Sequence, residues 1–210
     1  VASVLTSPSH RVQAATGAML LLVLALPSLR EALERDMVRH MLVQIPLLVV
    51  AGWLLAPPGG VSGKVADGWD RHGIVGVLTA NLVAAYWMLP RSLDDAIVSA
   101  AIEAAKFISL PLLVGVALRC SWPRMPTLGR GFVVANAISM LGIAGWLYLA
   151  APVRVCVYYL TDQQETVGRS LLYLAGAITA SILCAAFIGP RRADAACSIT
   201  AINIASIDNN

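Results

Sequence analysis

An all-α fold, a polytopic transmembrane helix bundle of about six spans, is predicted by three features of the chain. Hydrophobic residues make up 58% of it and charged residues 13%, and the mean hydropathy is +0.75, far from the balance of a soluble domain. Apolar runs of about 18 to 25 residues, the length a helix needs to cross hydrocarbon, recur at residues 12–29, 37–56, 73–90, 96–119, 132–151 and 170–189. So little chain separates these runs that no soluble catalytic domain fits. The expected organisation is a polar lead at 1–11, one membrane domain at 12–190 and a tail at 191–210 without readable periodicity. The partners this implies are membrane lipid and other integral membrane subunits. A net charge of +3 carries no nucleic-acid signature.

The first run follows Arg11 and precedes small residues, as a secretory signal does, and is read as the first span. After it REALERDMVRH forms a charged outer segment that continues as helix, because Glu31 and Arg35 sit four apart. Span two carries His40 at its outer end and Pro46 inside, where the missing donor predicts a kink at the carbonyl of Leu42. The Gly- and Pro-rich stretch APPGGVSGKVADGWDRHG is a turn region. Span three ends in an aromatic belt at Tyr86 and Trp87, and Ser92 with Asp95 has the capping pattern expected to open span four. Span five carries Gly142 and Gly145, and span six Gly176, Ala180 and Cys184 at four-residue spacing, so close bundle packing or a dimer interface is expected there. Between them PVRVCVYYLTDQQE is expected to lie along the outer surface and then cap the last helix through Thr161 and Gln164. Basic residues number eight on the side of Arg11 and six on the side of Arg30, which places both termini in the cytoplasm.

Span four holds the residues around which a function is read. Counted as helix from Asp95, Glu103 lies roughly 12 Å and Lys106 roughly 16 Å along the axis, near the middle of a bilayer. Ionised groups at that depth pair or face a wet cavity. Glu103 and Lys106 share a helix face, so either they neutralise each other and pin two helices, or they serve an ion path. Pro111 frees the carbonyl of Phe107 as a further acceptor for the ammonium.

Several chemistries lack support. The four cysteines, Cys120, Cys156, Cys184 and Cys197, show no metal spacing. His40 and His72 belong to opposite membrane faces, roughly 30 Å apart, which excludes a bis-histidine haem within the chain. No Walker loop, dinucleotide fingerprint, zinc-protease or serine-hydrolase motif is present, and no pair of repeated halves suggests a transporter.

Three segments resemble the CtaG family of integral membrane proteins linked to cytochrome c oxidase assembly. Residues 40–52, HMLVQIPLLVVAG, are similar to the family's H-M-x-x-H and its apolar run; residues 87–97, WMLPRSLDDAI, to W-H-x-P-x-x-Y-D-x-A; and Asp162, Gln163 and Gln164 to D-Q-Q-x-x-G, with Gly168 a little late. The departures are specific. Gln44 and Met88 stand where the family has histidines, and the histidines expected in span four are replaced by a region carrying Glu103 and Lys106.

The resemblance implies a non-enzymatic accessory or assembly factor of a haem-copper oxidase or related respiratory complex in a bacterial inner membrane. Copper, the implied cofactor, accepts imidazole and thioether ligands, so its degenerate site would be His40, Met41 and Met88, with Lys106 as a fixed cation working against it. The outer polar cluster is expected to comprise His40, Gln44, Met88, Asp94, Asp95, Glu103, Lys106, Asp162, Gln163 and Gln164. The alternatives are a permanent small subunit of a larger membrane complex, or a small ion-coupled transporter using Glu103 and Lys106.

Overall fold

The structure, a computed structural model, describes residues 8–57, 70–151, 159 and 161–188. The expectations for the turn region at 58–69, the segment 152–158 with Cys156, and the tail at 191–210 lie outside these residues. Among the described residues every regular element is helical. We number them α1 (Pro8–Ala25), α2 (Pro27–Glu34), α3 (Met37–Leu55), α4 (Ile74–Trp87), α5 (Pro90–Val98), α6 (Ala100–Arg124), α7 (Thr127–Ala150) and α8 (Thr161–Ile188).

Four helices are long and apolar enough to cross a membrane: α3, α6, α7 and residues Asp162–Ile188 of α8. Two bent pairs raise the number to as many as six, α1 with α2 at 71° and α4 with α5 at 72°. Both bends have one cause. A proline disfavours helical geometry in the residue before it and starts a new helix readily at its own position. Leu26 and Leu89 accordingly adopt ψ of 127° and 133° ahead of Pro27 and Pro90. The first and third spans therefore end earlier than the apolar runs suggest, and each is followed by an amphipathic helix turned across the bundle end.

A third break corrects span four. Ser99 is extended (φ −116°, ψ 114°), so Asp94 and Asp95 belong to α5 and not to the span. The predicted cap at Ser92 is not formed, since its Oγ donates instead to the Tyr86 carbonyl at 2.7 Å. With α6 starting at Ala100, Glu103 lies in its first turn and Lys106 about 9 Å along it. Both are much nearer the helix end than a count from Asp95 implies.

Helices α3 and α6 form the centre and run side by side in the same direction. Residues 40 and 44 meet 106, and farther along Gly52 and Gly115 form the crossing. A Cβ on Gly52 would overlap the Pro111 backbone, and one on Gly115 the Val49 carbonyl. Each helix carries a π-helical stretch at its proline, His40–Gln44 before Pro46 and Leu110–Val116 around Pro111. The predicted kink is thus taken up as a widened turn, in which Ile45 N–H donates to the His40 carbonyl.

Helices α1 and α4 flank this pair. Gln13 reaches the Leu54 carbonyl at 3.2 Å, and Trp87 Nε1 donates to Ser109 Oγ at 2.9 Å. The start of α4 is held by Asp70, whose carboxylate accepts from Gly76 N–H and Ser121 Oγ. The core fills with Met37, Met41, Leu48, Leu93, Leu110, Val167 and Leu171.

The chain divides into two compact units, Val1–Ala175 and Gly176–Asn210. In the first, α7 and α8 cross where a Cβ on Gly145 would stand 2.8 Å from the Gly168 carbonyl. Of the two glycines expected on this helix, Gly145 makes the contact and Gly142 faces open space. In the second unit Gly176 also faces open space, and Ala180 and Cys184 are exposed.

Candidate functional site

The site lies where α2 folds over the beginning of α3 and α6. The sequence of α2, PSLREALE, places Leu29 and Leu33 toward the core and Arg30 and Glu34, four apart, on a shared face. The turn at Leu26 swings that face over α6. Asp36 then caps α3 by accepting Val38 N–H at 2.8 Å, and the following π turn carries His40 and Gln44. From α6 comes Lys106, whose side chain is 0% exposed.

An ammonium group has three donors and no acceptor, and Lys106 has three acceptors around it. Glu34 Oε1 lies at 2.7 Å, His40 Nε2 at 3.1 Å and Gln44 Oε1 at 3.4 Å. Accepting from the ammonium requires a lone pair on Nε2, which assigns the imidazole proton to Nδ1. Nδ1 lies 2.7 Å from Tyr159 Oη, and Tyr159 passes its own proton to the Glu34 carbonyl at 2.9 Å. Gln44 closes the ring, its Nε2 donating to Glu34 Oε1 at 3.1 Å. A buried charge is tolerated when it is paired and hydrogen-bonded, and this one meets both conditions.

Glu103 stands at the edge. It pairs with Arg30 (Nε to Oε1, 2.8 Å), and Arg30 also lies 4.0 Å from Glu34. The 2.8 Å contact lacks hydrogen-bond alignment, for neither atom has such a partner; it is an ion pair by proximity. The sequence reading that couples Glu103 to Lys106 is therefore corrected, each finding its counter-ion on α2. Lys106 also turns away from the expected Phe107 carbonyl toward these three acceptors, with its nitrogen 5.5 Å from the Phe107 ring.

Of the predicted cluster, the structure unites His40, Gln44 and Lys106, with Glu103 adjoining. It separates the others. Met41 is packed in the apolar core. Met88 lines a different cavity, about 470 Å³, between α4 and α7. Asp94 is buried on α5 and Asp95 exposed. Asp162 is exposed, Gln163 half-buried, and Gln164 Nε2 donates to the Tyr148 carbonyl at 3.0 Å; the predicted capping box falls on the Thr161 side chain, which lies outside the described residues. Glu34, Arg30 and Tyr159 were missed. The i, i+4 spacing of Arg30 and Glu34 beside Leu29 and Leu33 was the available signal for the first two; no signal marked Tyr159 above its aromatic neighbours.

Copper at His40, Met41 and Met88 does not fit this arrangement. Both ring nitrogens of His40 are engaged, one of them by a cation, while Met41 packs in the apolar core and Met88 lines the cavity between α4 and α7. Known protein families, curated proteins and solved structures offer no match to the chain.

Proposed function

We propose that the chain is a non-enzymatic accessory or assembly factor of a haem-copper oxidase or related respiratory complex, in a bacterial inner membrane with both termini cytoplasmic. Its site holds a tethered cation, the Lys106 ammonium, in place of a metal. The observation that carries this reading is the seat of Lys106 Nζ, 3.1 Å from His40 Nε2 and bound by Glu34 and Gln44. The resemblance to the CtaG family makes His40 the expected ligand. A lysine seated against that nitrogen supports a scaffold that keeps the docking surface and has given up the ion.

A second reading has its own support. Glu103, Arg30, Glu34, Lys106 and His40 form an unbroken line of ionisable groups, as an ion-coupled transporter would use. The position of Lys106 near the start of α6 and its three acceptors favour a fixed structural charge over a moving one.

Native mass spectrometry of the untagged protein, extracted gently from its own membrane and followed by copper titration, separates the readings. A stoichiometric assembly with respiratory subunits and no copper uptake supports the proposal. A free chain that binds one copper ion removes the tethered cation. Ion transport in proteoliposomes that disappears in Lys106→Ala establishes the carrier.

A further inference from the structure

We propose that the pocket beside the Arg30–Glu103 pair binds the headgroup of an aminophospholipid, a zwitterion joining a phosphate to a primary ammonium. The cavity measures about 260 Å³ and is lined by Ala25, Arg30, Ala100, Glu103, Ala104 and Phe107. Ala25 ends α1 and Ala100 begins α6, so the pocket opens at the level where two membrane helices terminate, which is headgroup depth. Three alanines leave room that no long side chain fills.

The charges in and beside the pocket match a zwitterion. Lys106 and Glu34 satisfy each other behind it at 2.7 Å, which leaves Arg30 and Glu103 as a local positive and negative pole. Arg30 keeps 34% of its side chain exposed and Glu103 14%. Their 2.8 Å contact takes up the buried Nε and Oε1 and leaves the other guanidinium N–H groups and the second carboxylate oxygen for a third group. Guanidinium is the favoured partner of phosphate, and a carboxylate accepts charge-assisted hydrogen bonds from a primary ammonium. A purely anionic headgroup would meet Glu103 unfavourably. Choline carries no N–H to donate, and the described lining residues supply one ring, Phe107, where recognition of quaternary ammonium uses an aromatic cage.

The test is native mass spectrometry of the 210-residue chain in detergent with equimolar dioleoyl phosphatidylethanolamine, phosphatidylcholine and phosphatidylglycerol. One molecule of the ethanolamine lipid should be retained about tenfold over each of the others, as expected for one charge-assisted hydrogen bond. N,N-dimethylation of its headgroup keeps the charge and one of the three N–H donors and should therefore keep part of that preference, which full methylation to choline removes. Glu103→Gln should abolish the distinction between ethanolamine and choline, Arg30→Gln should lower retention of all three, and Arg35→Gln, on an exposed residue paired with Glu31, should change nothing. Equal retention of the three lipids by the unaltered chain overturns the proposal. The lipid series on the unaltered chain decides the matter even if a variant fails to fold.

Discussion

Lys106 has three acceptors, and their inequality predicts what each substitution does. Glu34 supplies the charge, so Lys106→Met leaves a carboxylate whose remaining cation, Arg30, is 4.0 Å away. Breaking a buried pair from one side costs about 3–5 kcal/mol, and thermal melting in detergent should show a loss of that order. The double change Glu34→Gln with Lys106→Met should lose less than Lys106→Met alone. Pairing Lys106→Met with Glu103→Gln should restore nothing, because Glu103 serves Arg30. A rescue by Glu103→Gln in place of Glu34→Gln would overturn the assignment. Tyr159→Phe removes one hydroxyl that links His40 to the Glu34 backbone and should cost about 1–3 kcal/mol, visible in the same melts. Residue chemistry was legible in part. The apolar context singled out Lys106 and the family resemblance His40 and Gln44, whereas the partner on α2 was not marked, because a counter-ion 72 positions away is selected by the fold of the chain and leaves no trace in local spacing.

At the scale of elements, the bends and the helix crossing do the positioning. The Leu-Pro pairs at 26–27 and 89–90 carried the local instruction for both bends, and the restriction on a residue before proline sufficed to read it. The break at Ser99 had no such marker, which is why α5 and α6 look continuous in the apolar pattern. The glycines show the same divide. Small residues were visible, but which of them touch a neighbour depends on helix rotation. Gly52→Ala or Gly115→Ala would drive a methyl into the backbone of the facing helix and should destabilise by about 1–3 kcal/mol or more, displacing Lys106 from His40 and Gln44. Gly142→Ala has open space and should gain up to about 1 kcal/mol from helix propensity. Melting temperatures of the three variants check this, and equal effects would mean that α3 and α6 do not cross at Gly52 and Gly115.

For the whole molecule, the open question is whether each bent pair crosses the membrane or turns back within it, and the packing argues for crossing. Helix α1 begins beside Leu54 and Arg119 through Gln13 and ends beside Ala100 at the opposite end of α6. Helix α4 begins at Ser121 through Gly76 and its Trp87 reaches Ser109, antiparallel to α6 in the same way. Helices α2 and α5 then lie at one end of the bundle, with α2 over the Lys106 site. This predicts that Arg11→Cys and His72→Cys, both exposed positions, react from one side of sealed vesicles with a membrane-impermeant thiol reagent. Arg35→Cys and Asp95→Cys, exposed as well, should react from the other. The measurement needs Cys120 and Cys184, together with Cys156 and Cys197, changed to Ser. Reaction of His72→Cys and Asp95→Cys from the same side would make α4 and α5 a re-entrant pair. The apolar runs announce a bundle through hydrophobicity alone, but a run of given length cannot distinguish a span from a bent pair. Only the antiparallel pairing of α1 with α3 and of α4 with α6 supplies the depth, and the labelling pattern measures that depth directly.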